Sequence, residues 1–156
     1  MLLMNSVHAV TNLSINQEQY TADAETLWIV ENRGILTRVA SEKGFLEEMS
    51  VLLVCCDGHV RSAHRHFIEQ VMKNKNSPLK QVILWTDYDQ DGMMIAHELF
   101  QIVKPTQKIK WINPVGEVLY HWDDYASQME DFLQTEKMEQ ETETGDVALW
   151  KKWIKL

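Results

Sequence analysis

The sequence predicts an α/β protein built on a parallel four-stranded sheet flanked by helices, and three observations carry that prediction. From Leu27 onward, short apolar runs alternate with helix-length amphipathic segments, the order produced by strand–helix–strand crossovers. The runs are rich in Val, Ile, Leu and Trp without polar alternation, as strands buried on both faces must be. Three of the runs finish on acidic residues or turn formers, at Glu31, at Asp57-Gly58 and at the stretch from Asp87 to Gly92, where a strand can hand over to a helix.

Element by element, strands are expected over 27–31, 51–56, 82–86 and 109–113. The first helix is expected over 34–43, with Ile35, Leu36 and Val39 apolar and Gly44 placed where a left-handed terminating residue belongs. A second spans 62–74, its apolar stripe formed by Ala63, Phe67, Ile68 and Val71, and Asn76-Ser77-Pro78 stops it. The third begins after Gly92 and ends before Pro105, with Ile95, Ala96, Leu99, Phe100 and Val103 facing inward. Residues 1–24 read as an N-terminal extension whose weak alternation at Val7, Val10, Leu13 and Ile15 suits an edge strand or a hairpin. Residues 25–115 form the α/β domain. Residues 116–156 form an acidic helical extension, with a helix over 123–137, a polar loop over 142–145 and a terminal helix whose Trp150 and Trp153 share one face and pack back on the domain.

Composition narrows the class. The 156 residues are 45% hydrophobic, 24% charged and 9% aromatic, values of a globular domain. The apolar runs are far shorter than a membrane span and no charged and apolar leader opens the chain, so a soluble, cytoplasmic protein is expected. Cys55 and Cys56 are the only cysteines; as neighbours on a strand they point to opposite faces, which argues against a disulfide framework or a structural zinc site. Net charge is −8, but residues 117–146 hold ten acids and one base, leaving the rest of the chain at +1. The acidity thus belongs to one segment, either a solvated face or a surface for a basic partner.

In an open parallel sheet, ligands collect beyond the carboxyl ends of the strands, where helix N-termini converge. Asp87 and Asp89 are two residues apart and would point the same way from an extended segment, with Glu31 facing them from another strand. Three carboxylates crowded together repel unless a cation neutralises them. All-oxygen donors suit Mg²⁺ or Mn²⁺, and phosphoryl transfer is the chemistry such an ion serves. Asp91, just before Gly92, reads more simply as the N-cap of the third helix. The densest cationic stretch is Gly58-His59-Val60-Arg61-Ser62-Ala63-His64-Arg65-His66. Arg61 and Arg65 share a helix face there, as a phosphate grip or as a solvated face.

This constellation resembles the Toprim domain, whose pattern is a glutamate after the first strand and Asp-x-Asp after a later one. Ile29-Val30-Glu31-Asn32, Leu36-Thr37-Arg38, the segment 54–67 and Thr86-Asp87-Tyr88-Asp89-Gln90-Asp91-Gly92 are similar to the Toprim half of the topoisomerase VI A subunit and its meiotic double-strand-break relatives. The nuclease subunit of Wadjet-type plasmid-defence systems carries a similar domain. The resemblance spans residues 27–113 and implies a Rossmann-type sheet in which Glu31, Asp87 and Asp89 bind Mg²⁺ and act in catalysis. It places Asp91 at a position that is acidic in some relatives. It further implies that the segment 57–65, with Arg61, His64 and Arg65, faces DNA. Gln90 stands where those proteins usually have proline.

In these relatives a winged-helix domain supplies the nucleophilic tyrosine. Tyr20, Tyr88, Tyr120 and Tyr125 are the only tyrosines here, none in such a domain, and Tyr88 is expected to point away from the acids into packing. Expected partners are therefore DNA and a second chain or domain bearing that tyrosine, with a homodimer as the simplest assembly. A metal-activated water would instead make a nuclease, and a non-catalytic Toprim-fold module is the alternative from another class. A phospho-acceptor receiver domain would show an acidic pair after its first strand, where only Glu31 stands.

Overall fold

The computed structural model describes residues 2–3, 21–73, 78–106, 108–135 and 145–156. Its main sheet contains β3 (Thr26–Val30), β4 (Val51–Cys55), β5 (Gln81–Trp85), β6 (Ile109–Ile112) and β7 (Val118–Leu119), in the order β4-β3-β5-β6-β7. The first four are parallel, each within a residue of its expected start, and β7 pairs antiparallel to β6. The expectation of four strands is thus corrected to five. Two residues are too few to show any periodicity, and β7 exists because Asn113 Oδ1 accepts the N–H groups of Val115 and Glu117 and folds the chain back. A separate parallel pair joins β1 (Leu2–Leu3) to β2 (Thr21–Ala22); the alternation at Val7 to Ile15 lies outside the described residues.

The helices are α1 (Arg33–Ala40), α2 (Phe45–Glu48), α3 (Ser62–Lys73), α4 (Gln90–Val103), α5 (Trp122–Thr135) and α6 (Val147–Lys155). Asn32 opens α1, its Oδ1 accepting the Gly34 N–H at 2.6 Å. The helix closes three residues earlier than expected, where the Ser41 hydroxyl turns back to the Arg38 carbonyl. Gly44 is indeed left-handed, at φ 77°, but it introduces the single turn of α2, which sequence patterning missed. The stop at Asn76-Ser77 lies outside the described residues.

Strand register divides the helices between two faces. Trp28 stacks on Trp85 at 5.9 Å, and Trp150 and Trp153 of α6 and Phe45 of α2 close over them edge-on or tilted. On the other face, Leu52 and Val54 meet Phe67 and Val71 of α3, and Trp111 meets Phe100 of α4 and Trp122 and Tyr125 of α5. Burial on both sides explains why the strands carry uninterrupted apolar runs. The expectation that Trp150 and Trp153 are core holds: they are 0% and 1% exposed.

Lys110, in the middle of β6, is fully buried. Its ammonium donates to the carbonyls of Trp153 at 2.6 Å and Ile154 at 3.1 Å, the C-terminal end of α6, where the helix dipole favours a cation. Burial, and after it the charge of Lys108, pushes its pKa down to about 8. Among the described residues no helix is long and apolar enough to cross a membrane.

Candidate functional site

Counting only the main sheet, the strand order is second, first, third, fourth, fifth. From β3, its first strand in sequence, the chain moves out to β4 on one side and later returns to β5 on the other, so the strand order reverses between β3 and β5. A crevice opens at that point, beyond the carboxyl ends of the two strands. Glu31 follows β3 and Asp87 follows β5 by two residues. The pairing of Val30 with Trp85 brings both to the same level.

The two acids are in contact. The Asp87 N–H donates to Glu31 Oε1 at 3.2 Å, and the two carboxyls lie close enough to shift each other's titration. Glu31 is only 7% exposed. Burial first, then the Asp87 charge, lift its pKa from 4.5 to about 8, so the pair resists losing its last proton. Asp87 is also raised, by burial foremost and by Asp89, while its bond to Glu31 opposes the rise.

Asp89 stands within electrostatic reach of both acids but has a second task. It is the N-cap of α4, its Oδ1 accepting the Gly92 N–H at 2.6 Å. This corrects the expectation that Asp91 caps a helix beginning after Gly92: the helix begins at Gln90, and Asp91 lies exposed in its first turn. The early start is made possible by Gly92, packed so closely on the Asp87 backbone that a Cβ there would lie 1.9 Å from the Asp87 carbonyl oxygen. Tyr88 points away from the acids as expected, accepting from Trp85 Nε1 and donating to the Asn113 carbonyl at 2.8 Å; burial keeps the phenol protonated, against the bond from Trp85.

Sequence reasoning missed the surroundings. Tyr125, from α5, reaches the floor of the crevice with its hydroxyl 3.4 Å from Thr86 Oγ1. Burial pushes its pKa to about 12, and the charges of Glu31 and Asp89 add to the rise. No local pattern announces this contact, because it depends on how α5 docks. On the other side, Arg33 Nη2 meets Asp57 Oδ2 at 2.8 Å, joining the first residue of α1 to the loop after β4. The pair is open to solvent, 78% and 43% exposed, and contributes at most about 1 kcal/mol to folding. The only available signal was the nearness of Arg33 to Glu31 in sequence.

The basic residues expected to face DNA gather on the same rim, beyond β4. Arg61 precedes α3, and its N–H donates to His64 Nδ1 at 3.0 Å. Burial, and then the Arg61 charge, lower the His64 pKa, while Asp57 opposes the change. Arg61 and Arg65 are exposed, one turn apart.

Among the described residues no group of three or more His, Cys, Asp or Glu side chains is placed to hold a metal ion, the trio of Glu31, Asp87 and Asp89 included. The chemistry of the donor set nevertheless fits Mg²⁺ or Mn²⁺. Glu31 and Asp87 are two touching carboxyls held apart in charge by one proton, and a hard cation can take that proton's place. Magnesium commonly uses one or two protein carboxylates and keeps several waters.

A protein-family model described as "Protein of unknown function C-terminus (DUF2399)" matches residues 7–155. Searches of curated proteins and of solved structures found no match.

Proposed function

The chain belongs to the DUF2399 family, and for this member we propose a Toprim-type, Mg²⁺-dependent role in DNA phosphodiester chemistry. One observation carries the reading: Glu31 and Asp87 meet at the reversal of strand order, with the Asp87 N–H on Glu31 at 3.2 Å. Acids placed at that pole of a sheet have few structural uses.

Glu31 and Asp87 would hold Mg²⁺ or Mn²⁺, with Asp89 adding charge from the α4 cap and Asp91 standing at the rim. When bound, the ion supplies neutralisation of charge developing on the phosphoryl and leaving oxygens. To serve as a ligand, the Glu31–Asp87 pair would release its shared proton. Gly92 fixes the Asp87 backbone, and Asp89 fixes the start of α4, so the carboxyls are held without reorganisation. Arg61, His64 and Arg65 line the rim along which a phosphate backbone would run.

The two tyrosines that feel the charge of the acids do not suit nucleophilic attack. Tyr88 and Tyr125 are buried, hydrogen-bonded and held protonated. Strand cleavage of the topoisomerase VI A type would then draw its tyrosine from another domain or a partner chain, and a family described as a C-terminus suits that arrangement. With water as nucleophile, the same centre would serve a nuclease. The purified protein should nick or relax plasmid with Mg²⁺ or Mn²⁺, alone or with its partner, and Asp87→Asn should abolish the activity. Equal activity in that variant removes the metal role.

A second reading, a non-catalytic Toprim-fold module, is favoured by one specific observation: Asp89 Oδ1 is committed to its helix cap. Calorimetric Mg²⁺ binding without turnover of any DNA form supports it, and cleavage by the isolated chain dismisses it.

A further inference from the structure

The Arg33–Asp57 pair lies on the flank of Glu31 opposite Asp87, because β4 and β5 pair with opposite edges of β3. The Cys55 thiol, which donates to the Glu31 carbonyl at 3.4 Å, feels the charges of Asp57, Arg33 and Glu31 together. The ion pair and the buried acid are therefore close neighbours. Exposure climbs steeply across this short distance, from 7% at Glu31 to 78% at the Arg33 side chain. Asp57 sits in the left-handed region at φ 50°, followed by Gly58 at φ 88°, a costly conformation outside glycine, although Asp tolerates it better than most residues.

An exposed ion pair adds little to stability, so folding does not explain why the chain turns sharply to deliver Asp57 to Arg33. The pair does have a clear geometric effect. The Asp57 carboxylate engages one nitrogen of the guanidinium, Nη2, and the Arg33 side chain stays 78% exposed, with donors left over for a ligand. Arg61 and Arg65, both exposed, follow the same loop that carries Asp57.

We propose that Arg33 binds a backbone phosphate of DNA at the mouth of the Glu31–Asp87 crevice, with Asp57 as the residue that positions it. The inference rests on the metal-centre reading above and names the contact through which that centre receives its substrate. A guanidinium can grip two phosphate oxygens at once, which an ammonium cannot.

The test uses the full chain, a fluorescently labelled DNA duplex and anisotropy over a series of salt concentrations, with Mg²⁺ binding followed separately by calorimetry. Arg33→Gln should weaken duplex binding about tenfold, the effect of one charge-assisted contact. It should also make the slope of log affinity on log salt shallower by about 0.9, the release of one counterion. Arg33→Lys should fall between the two.

Asp57→Asn decides the positioning role by sign. If only bulk charge mattered, removing an acid would tighten DNA binding; if Asp57 aims Arg33, binding weakens. Both variants should bind Mg²⁺ as the parent does. Duplex affinity unchanged in Arg33→Gln, tighter binding by Asp57→Asn, or no duplex binding by the parent overturns the proposal. Mg²⁺ binding in a protein that fails these DNA tests leaves the metal reading standing, while Arg33-dependent DNA binding without Mg²⁺ binding removes the metal reading and keeps the grip.

Discussion

Gly92→Ala separates two opposing effects by sign. Gly92 lies in the first turn of α4, where helix propensity alone would favour alanine by about 1 kcal/mol. The added Cβ would stand 1.9 Å from the Asp87 carbonyl oxygen and 2.7 Å from its carbon, well inside the 3.0 Å below which real Cβ contacts essentially do not occur. Backbone faces backbone at this contact, so no rotamer change relieves it and the two segments must part by about 1 Å. Both are pinned: Gly92 N–H bonds Asp89 Oδ1 at 2.6 Å, and Asp87 N–H bonds Glu31 Oε1 at 3.2 Å. Overpacking costs about 1–3 kcal/mol, and loosening the cap adds about 1 kcal/mol. After the propensity gain, the expected net loss is about 1–3 kcal/mol. Urea unfolding followed by tryptophan fluorescence reads the stability, and calorimetry should show a parallel fall in Mg²⁺ affinity as Asp87 is displaced. A variant as stable as the parent, or more stable, with unchanged metal binding would refute the close-approach argument.

Two further outcomes follow from the same geometry. Glu31 titrates at about 8 in the fold against 4.5 as a free side chain, so between those values the folded state holds a proton that the unfolded state has released. Metal-free stability should therefore decline as pH rises through that window; Glu31→Gln should flatten the decline, and Mg²⁺ should reverse it by selecting the charged form. Urea midpoints collected from about pH 5 to about pH 9 check this, and an unaltered slope in Glu31→Gln would show that another group is responsible. Asp89→Ala should cost about 1 kcal/mol as a lost N-cap, whereas Asp91→Ala should stay within about 0.5 kcal/mol. The opposite ranking in urea unfolding would return the cap to Asp91.

The parallel strands were legible because each is covered on both faces, which leaves an apolar run that depends little on its neighbours. Leu27 to Val30 and Val82 to Trp85 show it well. The meeting of Glu31 and Asp87 was legible for a related reason: parallel strands finish at one pole, so acids at their ends converge. The start of α4 was not. Asp87, Asp89 and Asp91 all make acceptable caps by residue type, and the choice is made by Gly92 packing on the Asp87 carbonyl, which draws the helix two residues closer to the strand. Lys110 and Tyr125 were illegible because their partners, the last carbonyls of α6 and Thr86, are brought to them by docking alone. The pairing of Arg33 with Asp57 depends on β3 and β4 lying side by side and on the backward turn at Asp57, which the residues between them do not encode as a pattern.

Lys110 ties the last helix to the sheet in a way that ordinary apolar docking does not. Its ammonium finds its acceptors, the Trp153 and Ile154 carbonyls, only while α6 lies at one height along the strands. Sliding α6 would leave that cation buried without its acceptors, and peeling α6 away would uncover the indoles of Trp28 and Trp85. Removal of α6 thus bares one face of the sheet, and a shortened protein lacking it would present an adhesive aromatic surface to its neighbours.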